Sequence, residues 1–115
     1  MEAYPSVRSL YEEASSVLGY DIATLCFEGP VERLNLTEYT QPALLVSSIA
    51  ALEVFKPLDI TPIAVAGHSL GEYSALVAAG GMTYREAVAI VQKRGRYMAD
   101  AVPSGTGLVA ALLGL

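Results

Sequence analysis

Cysteine is all but absent. Cys26 stands alone among 115 residues, so no internal disulfide can form and the chain suits a reducing, cytoplasmic compartment. On its own the thiol reads as a small buried group. Positive charge is also scarce: seven Lys and Arg stand against twelve Asp and Glu, a formal net charge of −5. The few cations are scattered, without interleaved aromatics, and this argues against a nucleic-acid partner. No apolar stretch reaches the length that crosses a bilayer, so a membrane location is not expected. Met1-Glu2 opens without the basic cluster of a signal peptide. There are no internal repeats and no low-complexity tract.

What is present is a core-forming sequence. Hydrophobic residues make up 53% and charged residues 17%, enough for one small globular domain. Val7, Leu10, Tyr11, Ala14, Val17 and Leu18 recur at helical spacing, and Gly19 supplies a stop. Asp21 is placed to cap a short helix ending before Gly29-Pro30, and Val31 to Thr40 reads as a loop. A second apolar helix is expected from about Pro42 to Phe55, capped by Thr40 or Gln41. Ile63-Ala64-Val65-Ala66 is a short apolar run without alternation, the pattern of a strand buried on both faces of a parallel sheet. A helix from Leu70 to Ala79 ends at Gly80-Gly81. Thr83 and Glu86 are spaced as a capping box for a longer helix to about Val102. Leu108 to Leu113 reads as a second buried strand. Strand, helix, helix, strand implies a right-handed crossover between parallel neighbours, and the fold class is α/β.

The chemistry concentrates at Gly67-His68-Ser69-Leu70-Gly71, between the first strand and a helix. A serine on such an elbow is strained, and small residues on either side let the chain turn. The hydroxyl is lifted clear, and the following helix start offers unpaired N–H groups with a positive dipole end. The Leu70 N–H is then placed to stabilise the oxyanion formed when Ser69 attacks a carbonyl, worth on the order of 10²–10³ in rate. A serine of ordinary pKa needs a base. The one histidine, His68, is adjacent to Ser69 and points elsewhere, so it reads better as ordering the elbow than as that base. Arg94 falls amid the apolar stripe of its helix, with Ala87, Val91, Met98 and Ala101 one and two turns away. A guanidinium there is expensive unless it meets an anion or accepting carbonyls. A structural ion pair and a bidentate grip on a substrate carboxylate stand equal on this evidence.

Three segments together, Thr40-Gln41-Pro42-Ala43-Leu44, Gly67-His68-Ser69-Leu70-Gly71-Glu72-Tyr73-Ser74-Ala75-Leu76 and Arg94-Gly95 with Met98, resemble successive signatures of malonyl-CoA:acyl-carrier-protein transacylases. The resemblance spans essentially the whole chain in order. It implies an α/β-hydrolase-like acyltransferase core of parallel strands and flanking helices. Ser69 would carry malonyl from malonyl-CoA as an ester, and the phosphopantetheine thiol of acyl carrier protein would collect it. No bound cofactor is expected, the phosphopantetheine being carried by the partner. Arg94 would pair with the malonyl carboxylate and Leu70 would give one oxyanion N–H. Gln41 would line the site or cap its helix. The family's opening strand and Gly-Gln-Gly segment lie before Met1. Its base histidine and its ferredoxin-like subdomain follow the region of Leu115. Residues 1–115 therefore resemble a partial acyltransferase domain clipped at both ends, and a chain of this extent is expected to be inactive alone. An acyltransferase domain of a polyketide or multifunctional fatty-acid synthase shares the elbow, as does a serine esterase or lipase; both stand as alternatives.

Overall fold

The computed structural model describes residues 3–114. Among them the helices are α1 (Pro5–Leu18), α2 (Ile22–Glu28), α3 (Val31–Leu34), α4 (Thr37–Phe55), α5 (Gly71–Ala78) and α6 (Tyr84–Ala101), with a 3-10 turn at Lys56–Leu58. Local chemistry accounts for most of their ends. Gly19 ends α1 in the left-handed region at φ 85°, with its N–H on the Ser15 carbonyl. Asp21 accepts from the Thr24 N–H at the start of α2. Thr83 and Glu86 exchange both bonds of the anticipated capping box on α6.

The start of α4 differs from the sequence reading. Residues 31–40 are not a loop: they form α3 and the first turn of α4, and Pro42 lies inside the helix and not at its head. A proline so near an N-terminus removes one N–H, the partner of the Glu38 carbonyl, so α4 survives it. Gln41 is consequently no cap. Its side chain is buried in the helix flank.

The core lies where α4 meets α6, the most extensive helix–helix contact. Leu45 and Val46 of α4 are fully buried with Val88 and Val91 of α6 and Ile22 of α2. Side chains of this size each contribute roughly 1.5–3 kcal/mol on burial. α1 packs its Val7, Tyr11, Ala14 and Leu18 stripe against both. Two hydrogen bonds pin α6 to α1: Tyr84 Oη donates to the Leu10 carbonyl at 2.7 Å, and Gln92 Nε2 to the Leu18 carbonyl at 2.9 Å. Burial pushes the Tyr84 hydroxyl well above the ordinary tyrosine pKa.

The two anticipated strands are not formed: no strand occurs among the described residues. Residues 63–66 and 108–113, read from sequence as buried, are exposed, with Ile63 at 105% and Leu108 at 91%. A strand is stabilised by its ladder and by packing on its faces, and neither segment has a neighbour here. Open grooves of about 490 and 310 Å³ flank residues 65–67. None of the helices is long and apolar enough to cross a membrane.

Candidate active site

Ser69 sits at φ 54°, one of two non-glycine residues with positive φ among those described. Strain of this kind costs of order 1–3 kcal/mol and persists only where the surroundings dictate it. The cause is steric. The backbone doubles back so closely that a Cβ on Gly67 would overlap the Gly71 carbonyl and the Glu72 nitrogen. Gly71 is different, since a Cβ there meets nothing within 4 Å. The glycine before the serine is thus required for the turn, and the one after it is not.

The bend feeds directly into α5. The N–H groups of Gly71, Glu72 and Tyr73 bond back to the carbonyls of His68, Ser69 and Leu70 at 2.9, 3.3 and 3.0 Å. The N–H of Leu70 precedes this series and has no acceptor among the described residues. The Leu70 side chain is buried and anchors the bend to the core.

Arg94 projects from α6 toward this bend. Its Nη2 donates to Ser69 Oγ at 3.2 Å and its Nη1 to Gln41 Oε1 at 2.6 Å. The guanidinium also lies 5.6 Å from the centre of the Tyr73 ring. All three partners are neutral. Among the described residues the ion pairs are Arg8–Glu12 and Lys56–Glu53, so the structural-pair reading of Arg94 finds no carboxylate. Nor is Arg94 wholly in the core. It is half-buried at a rim, with Val91 and Gly95 beneath it and Met98 42% exposed.

Gln41 fixes the geometry of that cation. It is 5% exposed, and its Nε2 donates to Thr37 Oγ1 at 2.9 Å and to Met98 Sδ at 3.2 Å. Arginine only donates and a thioether only accepts, so the amide has one consistent orientation: nitrogen to Met98, oxygen to Arg94. Thr37, one helical turn before Gln41, was not identified from sequence. The four-residue spacing that puts Thr37 and Gln41 on one face of the helix is the available signal.

These groups line an open cavity of about 460 Å³, with His68, Ser69, Leu70, Gln41, Arg94 and Met98 on its wall. That volume is ample for a small acyl group. His68 is exposed and does not bond the Ser69 hydroxyl, whose partner is Arg94. Among the described residues no imidazole or carboxylate is hydrogen-bonded to Ser69 Oγ. The cavity therefore brings together a strained serine, a cation without a carboxylate partner and a helix start, with no base bonded to the serine among the described residues.

The chain belongs to the acyl transferase domain family, whose profile matches residues 3–113. Within it, the chain is 53% identical over 114 residues to the malonyl CoA-acyl carrier protein transacylase of Bacillus subtilis (strain 168), covering 99% of this chain and 36% of that protein. A solved acyl carrier protein S-malonyltransferase from Vibrio cholerae superposes with a TM-score of 0.85 at 51% identity, over 91% of this chain and 35% of that one. A malonyl-transacylase solved in complex with its type II PKS acyl-carrier protein gives 0.84 at 48% identity, over 90% and 34%. The fold is thus that of the acyltransferases, and the chain spans about a third of the length of these relatives.

Proposed function

We propose that this chain carries the acylated serine of a malonyl-CoA:acyl-carrier-protein transacylase of fatty acid biosynthesis. The observation that carries the reading is the Arg94 guanidinium, 3.2 Å from the Ser69 hydroxyl and without a carboxylate partner among the described residues. In a malonyl thioester the carboxylate carbon is two bonds from the carbonyl under attack. A cation within hydrogen-bond reach of the nucleophile is therefore within reach of that carboxylate. A guanidinium has five N–H donors, and two of them are engaged among the described residues.

In this reading Ser69 Oγ bonds to the malonyl carbonyl carbon, the carbon–sulfur bond to CoA breaks, and the serine proton passes through a base to the departing thiolate. The phosphopantetheine thiol of acyl carrier protein then attacks the ester, the bond from the acyl carbon to Ser69 Oγ breaks, and the thiol's own proton passes through the same base to Ser69. The Leu70 N–H stabilises both tetrahedral oxyanions. The base is a histidine from the remainder of the enzyme, as in the family, and His68 shapes the elbow. The exposed apolar segments at residues 63–66 and 108–113 are neighbouring parallel strands of the complete α/β core, their open flanks the seats of further strands. The enzyme works in the cytoplasm with malonyl-CoA and acyl carrier protein and holds no cofactor of its own.

The test is mass spectrometry of the full-length enzyme after incubation with malonyl-CoA. Wild type gains one malonyl group on the peptide containing Ser69, and Ser69→Ala gains none. An adduct that persists in the variant places the nucleophile elsewhere.

A further inference from the structure

A glycine stands deep in α6, immediately after Arg94. Within a helix interior glycine is destabilising by roughly 0.5–1 kcal/mol relative to alanine, so its presence needs a reason. Backbone freedom is not that reason, because Gly95 is ordinary helix. Space is. A Cβ at position 95 would lie 2.8 Å from the Glu38 Cα and 3.1 Å from the Thr37 carbonyl oxygen. Both are backbone atoms of the first turn of α4, and neither can rotate aside.

We propose that Gly95 is a positioning residue: by letting the backbones of α6 and α4 touch, it sets the Arg94 guanidinium between Gln41 and Ser69. This deepens the function proposed above and rests on it. The turn of α4 that Gly95 touches is the one whose Thr37 hydroxyl orients Gln41. The next residue back along α6 is the arginine whose Nη1 meets that amide at 2.6 Å. The helix separation at this point therefore fixes both ends of the Arg94–Gln41 bond. Ordinary contact begins at 3.4 Å, so an alanine at 95 must drive the helices apart by about 0.6 Å. The Nη1 to Gln41 Oε1 bond, now 2.6 Å, would then stretch to the far limit of hydrogen bonding, and the guanidinium would lose the contact that sets it beside Ser69. Misplacement on the order of 1 Å can cost about 10²-fold in rate.

The experiment compares Gly95→Ala, Arg94→Ala and their double variant in the full-length enzyme. Gly81→Ala serves as control, since a Cβ there meets nothing nearer than 3.5 Å. Malonyl and acetyl transfer are measured separately, each as kcat and KM, beside circular dichroism and a melting curve. Gly95→Ala should remain folded and lower the malonyl-to-acetyl ratio of kcat/KM at least about tenfold, while acetyl transfer changes by less than about threefold. In the Arg94→Ala background it should lower the ratio no further, and Gly81→Ala should leave the ratio at the wild-type value. Equal loss for both acyl groups, an unchanged ratio, or a chain that cannot fold would make Gly95 a purely structural residue and overturn the proposal. Should Arg94→Ala itself not separate the two substrates, the reading of the site fails and takes this proposal with it. If Arg94→Ala separates them and Gly95→Ala does not, only the role of Gly95 falls.

Discussion

Replacing Arg94 by alanine tests the proposed substrate reading most directly. The guanidinium faces the cavity with two N–H groups engaged by Gln41 and Ser69 and three without a partner among the described residues. Hydrogen bonds to charged groups are worth about 1.5–3 kcal/mol each. Loss of the fork should therefore cost malonyl transfer about 10²-fold, at roughly 1.4 kcal/mol per factor of ten. Acetyl-CoA has no carboxylate to lose. For that substrate the variant also removes a cation that would otherwise be desolvated without a partner, so acetyl transfer should hold or rise. Arg94→Lys should recover only part of the malonyl activity, because an ammonium cannot hold Gln41 and grip a carboxylate as a fork. The assay is transfer of radiolabelled acyl groups to acyl carrier protein from each thioester, read as kcat/KM. An equal fall for malonyl and acetyl would refute the reasoning, leaving Arg94 as a strut for Gln41.

Two further outcomes follow from the packing. Gly67→Ala should lower stability in the full-length enzyme by about 1–3 kcal/mol or more, because its methyl group overlaps backbone. Gly71→Ala should leave the denaturation midpoint nearly unchanged; comparable losses at the two positions would contradict the steric account of the bend. The half-buried tyrosines Tyr84 and Tyr20 should behave oppositely. Tyr84→Phe loses the bond to the Leu10 carbonyl at a cost of about 1 kcal/mol. Tyr20→Phe should be neutral or slightly stabilising, since the Tyr20 hydroxyl is buried without a partner among the described residues. Burial raises the Tyr20 pKa to about 12. A raised acid retains its proton in the folded state, so its stability contribution is complete below pH 10 and is lost as pH climbs from 10 through 12. Alkaline titration of the unfolding midpoint should show that loss, and Tyr20→Phe should diminish it.

The elements that sequence alone located are those written in local chemistry. The α1 stripe, the Gly19 stop, the Asp21 cap and the Thr83–Glu86 capping box each involve residues within a few positions of one another. The head of α4 was missed because Pro42 read as a beginning. Pro42 is the sixth residue of α4 and forgoes the bond to the Glu38 carbonyl, a loss offset by the burial of Leu45, Val46 and Ile49 along the same helix. The strands at residues 63–66 and 108–113 were inferred from apolar runs, yet a run expresses only a demand for burial. Whether a ladder forms depends on what lies alongside. At the site, Ser69 was identified from its glycine neighbours, of which only Gly67 proves sterically necessary. Arg94 was flagged by its unfavourable place on a wheel. Its partner Gln41 and the Thr37 hydroxyl that holds Gln41 lie 53 and 57 positions earlier, and the α4–α6 contact brings them to it.

That separation bears on how the two halves of the chemistry arise. The cation, the amide and the hydroxyl are held by helix-to-helix contacts contained within these residues: Gly95 on the first turn of α4, Gln41 between Thr37 and Met98, and Leu70 in the core. None of these contacts requires a sheet. If the proposed function holds, the groups that would recognise a carboxylated acyl group are in place before any β-ladder forms around residues 63–66. Activation of the hydroxyl is another matter, because Ser69 Oγ receives a hydrogen bond from Arg94 and gives its proton to no base among the described residues. A nearby guanidinium stabilises an alkoxide, but it cannot accept the proton whose removal creates one. Under the proposed function, substrate selection would belong to the α4–α6 contact, and rate to whatever base the remainder of the enzyme brings to the open side of the cavity.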